Sequence, residues 1–237
     1  MNLILVQASD FIDRHIIRLT DRRFTHIQQV HRAAINQSLK VGMINGQTGT
    51  GSILDIDEHS VTLKLSLDTP ALTALPLTLL LALPRPKMLK RILQSVASLG
   101  VKEIYLINSY KVEKSYWSSP VLSEQSINEH LRLGLEQAGD TIMPKVHVKK
   151  LFKPFIEDEL PAIAQDKRKL IAHPYQASEC PPLSTENTVL AIGPEGGFID
   201  YEVEKLRQQG FIPISLGQRI LRVETALPVA ISKLFNL

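Results

Sequence analysis

Short runs of alternating apolar and polar residues mark the first third of the chain. Residues 41–46, 51–56 and 61–67, the last reading Val-Thr-Leu-Lys-Leu-Ser-Leu, have the period of two expected of half-buried strands, and Gly- and Asp-rich turns separate them. They predict a small β-barrel. One helix interrupts it, because residues 25–34 place Ile27, Val30 and Ala34 on one face and leave the basic residues facing outward. Between Pro70 and Pro76 the period changes. An apolar run at 77–83 is followed by an amphipathic helix at 88–99 that Gly100 stops. Strands at 101–108, 145–149, 169–172, 189–192 and 211–216 then alternate with helices at 124–138, 157–165, 200–209 and 223–235. Such alternation implies an α/β fold with a parallel sheet.

Two strand-end loops carry the chemistry. The strand closing at Ile192 runs into Gly193-Pro-Glu-Gly-Gly-Phe198, where three glycines in five residues remove Cβ atoms from a turn. A helix follows, with Asp200 as its expected N-cap and Gly210 as its stop. The next strand ends in Leu216-Gly-Gln-Arg-Ile-Leu-Arg-Val-Glu-Thr-Ala226. Ligands of open α/β sheets collect outside the carboxyl ends of the strands, so these loops predict one site on neighbouring strands. Neither Gly-x-Gly-x-x-Gly nor a Gly-Lys-Ser/Thr ending is present, which argues against a nucleotide triphosphatase.

Composition adds bounds. The 237 residues are 44% hydrophobic, enough for a real core in one large or two modest domains. Net charge is only +3, yet six Lys or Arg fall between Arg14 and Lys40 (Arg14, Arg18, Arg22, Arg23, Arg32, Lys40) against the single acid Asp21. That stretch suits either a phosphate backbone or a solvated helix face. The lone Cys180 excludes a disulfide framework, and the seven histidines form no supported ligand pair, so no metal is expected. No run reaches the roughly 18 to 20 apolar residues of a membrane span, and no export signal is visible, which points to the cytoplasm.

Taken together, Gly-Pro-Glu-Gly-Gly-Phe-x-x-x-Glu (193–202) and Leu-Gly-x-Arg-Ile-Leu-Arg-x-Glu-Thr-Ala (216–226) resemble the RsmE family, the bacterial 16S ribosomal RNA uridine N3-methyltransferases of the SPOUT class. The resemblance implies a PUA-like RNA-binding β-barrel domain over 1–72 and a SPOUT methyltransferase domain over 73–237. The latter would be a trefoil-knotted parallel sheet with helices on both faces. It also implies S-adenosyl-L-methionine as cofactor, ribosomal RNA or the small ribosomal subunit as partner, and a homodimer.

Carried onto this chain, the resemblance assigns cofactor binding to His173, Pro174, Ile192, Gly193, Glu195, Gly196, Gly197, Leu216, Gly217, Ile220, Leu221 and Arg222. RNA contact goes to Arg14, Arg18, Arg22, Arg23, Arg32 and Arg219. Uracil N3 carries a proton at neutral pH, so its methylation calls for a base or a cation beside the ring. Arg222 is the first candidate, with Glu195 and Glu224 beside it, although Glu224 also suits the start of the last helix. The chain departs from the family in Gln94-Ser-Val-Ala-Ser-Leu-Gly100, which lacks a Lys and a Glu, and in Glu136-Gln-Ala-Gly-Asp140, which has an acid in place of an Arg. A different RNA target, ribose 2′-O transfer and a non-catalytic RNA-binding role stay open.

Overall fold

The computed structural model describes residues 2–31 and 34–237, together with all their side chains except those of Val30 and His31. The roles expected of Arg32 and of the Val30 side chain therefore lie outside the described residues. The chain divides into two compact units, one of Met1–Thr73 with Arg132–Met143, the other of Ala74–Leu131 with Pro144–Leu237.

In the first unit, strands β1 (Ile4–Val6), β2 (Phe11–Asp13), β3 (Ile16–Leu19), β4 (Ser38–Met43), β5 (Thr48–Ile56) and β6 (Val61–Thr69) form one sheet. Their order is β1-β4-β5-β6-β3-β2, with β1 parallel to β4 and the other pairs antiparallel. The alternation of β6 works as its sequence predicts: Val61, Leu63 and Leu65 turn into a core with Ile17, Leu19, Val41 and Ile53. Helix α1 (Arg22–His26) begins three residues before the predicted start, because the Asp21 carboxylate caps it by accepting the Arg23 N–H at 2.9 Å. A π-helical turn, Ile27–His31, continues it and sends Ile27 into the same core.

The second unit carries β7 (Leu77–Ala82), α2 (Pro86–Ser98), β8 (Glu103–Ile107), the start of α3 (Glu124–Ala138), β9 (Lys145–Lys149), α4 (Phe152–Pro154), α5 (Leu160–Ile163), β10 (Arg168–Ala172), β11 (Ser178–Glu179), β12 (Thr188–Ile192), α6 (Asp200–Gln208), β13 (Ile212–Ser215) and α7 (Val223–Leu234). The last residues of α3 group with the first unit. All seven strands are parallel, in the order β11-β13-β10-β12-β7-β8-β9. Every residue of β7 and β12 is buried, which explains why these segments read as nearly continuous apolar runs.

Three expectations are corrected. β12 and β13 are not neighbours: β10 lies between them and pairs with both. The helix expected at 157–165 begins at Phe152, since Pro154 is tolerated within a first turn, and it passes through a π-helical turn at Phe155–Glu159. Asp200 is the first residue of α6 rather than its N-cap. Ile199 takes that position, and its N–H is accepted by Glu202 at 3.0 Å.

The route of the chain around β13 is unusual. After β10 it runs outward so that β11 pairs with the far edge of β13, and it then returns to form β12 on the other side of β10. On the way, the Ser184 N–H bonds the carbonyl of Leu234, at the end of α7.

Candidate active site at the strand ends

The loops after β10, β12 and β13 enclose a pocket of about 890 Å³, within the usual range for small-molecule sites of about 300–1,000 Å³. His173 and Pro174 come from the first loop; Ile192, Gly193, Glu195, Gly196 and Gly197 from the second; Leu216, Gly217, Ile220 and Leu221 from the third. The structure brings all of these expected residues together. Arg219, expected to meet RNA, also lines the wall.

Two glycines are required by the backbone itself. Gly197 has φ +70° and closes a turn by donating its N–H to the Pro194 carbonyl at 2.7 Å, and Gly217 has φ +138°. A Cβ at either position would meet nothing within 4 Å, so conformation, not crowding, selects glycine there. Ser215 steadies the third loop: its hydroxyl donates to the Gly217 carbonyl at 3.1 Å and accepts the Gly217 N–H at 3.3 Å. At Gly196 the reason is different. A Cβ would lie 2.7 Å from Cδ of Lys111, whose ammonium donates to the Gly196 carbonyl at 2.6 Å.

Glu195 is exposed, and its carboxylate accepts the Arg85 N–H at 3.1 Å, at the N-cap of α2. A negative charge at a helix start is favourable, which accounts for an acid inside a glycine turn. His173 donates its backbone N–H to the Ile214 carbonyl at 3.0 Å, and its ring meets Tyr175 edge-on at 5.9 Å between centroids. Burial pulls its imidazole below the ordinary 6.5, Arg207 and Lys111 add to that, and Asp200 opposes it. The ring is neutral at neutral pH.

Arg222 and Glu224 are not among the lining residues. Arg222 is exposed and serves as N-cap of α7, its carbonyl accepting the N–H groups of Thr225 at 2.9 Å and Ala226 at 2.7 Å. Glu224 lies in the first turn of α7, where its charge complements the helix dipole. Lys111, Tyr175, Asp200, Glu204 and Arg207 line the pocket without having been foreseen. Nor was the part played by Glu202 foreseen: only 2% exposed, it accepts the Ser109 hydroxyl at 3.0 Å and the Tyr110 N–H at 2.7 Å besides that of Ile199, fastening the turn before Lys111 to the start of α6.

In the first unit the basic residues separate into two kinds. Arg14 and Arg18 are exposed. Arg22 forms a fork with Glu136, at 2.7 and 2.9 Å, that holds a carboxylate with 2% exposure. Arg23 does not face outward as expected. Its guanidinium is buried between Asp10 and Asp21 and also donates to the Leu5 carbonyl at 2.8 Å. Burial alone would lower its pKa, but the hydrogen bonds it donates to Asp10 and Asp21 raise it well above the ordinary arginine value. Among the described residues no helix is long and apolar enough to cross a membrane, and no group of three His, Cys, Asp or Glu is placed to hold a metal.

Comparison with known proteins places the pocket-bearing part of the chain. A family model described as an RNA methyltransferase domain matches residues 72–235. The ribosomal RNA small subunit methyltransferase E of Treponema pallidum is 30% identical over 95% of this chain and 87% of its own length. Ribosomal RNA small subunit methyltransferase E 1 of Borreliella burgdorferi is 29% identical over the whole of both chains. Among solved structures, a ribosomal RNA small subunit methyltransferase E from Neisseria gonorrhoeae bound to S-adenosyl methionine superposes with a TM-score of 0.76 at 22% identity, covering 97% of this chain and 96% of that one. A Legionella pneumophila methyltransferase in complex with bound SAM gives 0.73 at 24%, covering 98% and 95%. With the glycine-loop pocket inside the matched region and relatives aligned along nearly the whole length, the chain belongs to the RNA methyltransferase family, among the ribosomal RNA small subunit methyltransferases E.

Proposed function

We propose that this protein transfers a methyl group from S-adenosylmethionine to N3 of a uridine in 16S ribosomal RNA of the small ribosomal subunit. One observation carries the reading: three glycine-marked or proline-marked strand-end loops converge on one pocket in the region matched by the RNA methyltransferase model. The residues present suit the cofactor. Open space beside Gly197 and Gly217 leaves their backbone approachable.

S-adenosylmethionine supplies, when bound, a methyl group already activated on a cationic sulfur. The rest falls to the chain. Ile192, Leu216, Ile220 and Leu221 give the pocket apolar surface, and the backbone of the loop at 193–197 lies beside it for hydrogen bonds. A neutral His173 adds no positive charge near a cationic donor, while Glu195, Asp200 and Glu204 supply carboxylates in the same wall. Arg219 in the wall and Arg222 beside it suit the acceptor strand, and holding the two reactants in line provides much of the acceleration.

The same reading makes residues 1–72 a PUA-like RNA-binding domain, with Arg14 and Arg18 on phosphates, and residues 73–237 the SPOUT methyltransferase domain. It includes a trefoil knot, supported by the excursion of the chain around β13, a homodimer, and a cytoplasmic location. Calorimetry with S-adenosylmethionine and transfer of labelled methyl to small subunits from cells lacking the protein, followed by mass mapping, test it. Micromolar binding and a single N3-methylated uridine are expected. No binding at millimolar cofactor, or label on a ribose oxygen, would overturn the proposal.

A further inference from the structure

Lys111 is a lysine for which the fold has made room. Its stem runs over Gly196, where a side chain would force the lysine to shift: a Cβ there would lie 2.7 Å from Cδ of the lysine. The backbone that carries it is held on both sides. Ser109 and Tyr110 bond the buried Glu202 carboxylate, and the Val112 N–H closes a turn on the Ser109 carbonyl at 3.0 Å while its side chain is buried. An exposed lysine with no task would need no such anchorage.

The ammonium itself is underused. It has three donors, one of which goes to the Gly196 carbonyl, and no carboxylate pairs with it among the described residues. Its charge reaches into the pocket, where it is felt at His173. The other charged walls are the acids Glu195, Asp200 and Glu204 and the cations Arg207 and Arg219. Arg207 donates to the Gln176 carbonyl at 3.2 Å.

We propose that Lys111 is the cation that meets the acceptor base, donating a hydrogen bond to a ring carbonyl oxygen next to N3. The proposal rests on the reading of the pocket as a uridine N3-methyltransferase site. In the transfer the N3 proton leaves to solvent, the N3 electron pair forms the new N–CH₃ bond, and the sulfur–methyl bonding pair returns to sulfur, so that the donor departs as a neutral thioether. Negative charge builds on the ring oxygens before the new bond is complete. A preplaced ammonium stabilises that charge more than it stabilises the neutral base, and so acts on turnover. The Gly196 carbonyl holds the ammonium until the base arrives.

The test compares wild type, Lys111→Met and Lys111→Arg on small subunits lacking the modification, with cofactor affinity, kcat and the pH–rate profile all measured. Methionine keeps the stem over Gly196 and removes the charge. Cofactor Kd should change by less than about threefold while kcat falls by about 100-fold. The rising limb of the profile should move to higher pH, since the base must then ionise unaided, and arginine should restore most of both. Parallel losses in cofactor affinity and kcat with an unmoved profile would show that Lys111 only braces the glycine loop. A wild-type protein that binds cofactor but methylates no uridine N3 would overturn this proposal together with the functional reading beneath it.

Discussion

Replacing Arg23 by methionine should unfold the first unit long before it weakens any grip on RNA. The guanidinium uses all its donor positions internally: Nε and one terminal nitrogen on Asp21, and both terminal nitrogens on Asp10, at 2.6–3.1 Å, plus the Leu5 carbonyl. The two acids differ in what they can do without it. Asp21, with 52% side-chain exposure, can rehydrate, whereas Asp10, at 8%, keeps only the Gln7 N–H at 2.8 Å. Stranding one buried charge costs about 3–5 kcal/mol. With a urea dependence of about 2 kcal/mol per molar, the midpoint should fall by about 2 M. Hydrogen exchange in urea, read by mass spectrometry on peptides covering Ile4–Val6 and Val61–Thr69, reports this unit directly. Adding Asp10→Leu should recover most of the loss, because the uncompensated charge goes with it. The reasoning fails if Arg23→Met costs less than about 1 kcal/mol, or if it instead abolishes RNA binding in a stable protein.

Arg18→Ala should do the reverse, leaving the midpoint unchanged and flattening the salt dependence of RNA binding by about one unit of log–log slope; an unchanged slope removes Arg18 from the interface. Gly217→Val forces a branched side chain to φ +138°, and with about 1–3 kcal/mol of strain calorimetry should show cofactor affinity reduced roughly tenfold or more; an affinity equal to wild type refutes the demand for glycine. Because burial, Arg207 and Lys111 hold His173 below 6.5, the unfolded chain takes up a proton first as pH falls. Stability from this group is therefore complete above 6.5 and is lost on acidification through the lowered folded value. Melting curves of wild type and His173→Asn should converge in that acidic window, and parallel curves would contradict it. Glu202→Gln leaves too few acceptors for the N–H groups of Tyr110 and Ile199 and the Ser109 hydroxyl. It should destabilise by about 1–3 kcal/mol and speed amide exchange at Tyr110, which would stay protected if the carboxylate were dispensable.

The centre of the second unit was legible because β7 and β12 are buried on both faces and read as nearly continuous apolar runs that turn residues delimit. The first unit was read only where alternation lasted. Strands of three or four residues such as Ile4–Val6, Phe11–Asp13 and Ile16–Leu19 are too short to show a period, and the arginines around them drew the reading toward charge. In the site, the glycines declared themselves by clustering at strand ends, and the hydrophobic wall residues through the family resemblance of the two loop motifs. Lys111 could not, because it is more than 80 positions from the loop it touches, and the one trace it leaves is a missing side chain at Gly196. Arg222 is legible only in part: its motif position fixes its place in the loop, whereas its carbonyl caps the helix that begins at Val223, a role that no motif spells out.

The order of the sheet also sets a timetable. β13 is the last strand to be synthesised, yet it pairs with β10 on one edge and β11 on the other and delivers the third wall of the pocket. A growing chain folds from its N-terminus, so the first unit can be in place while the pocket still has two walls. Until the ribosome has released the residues beyond Ile212, the nascent protein holds no complete site.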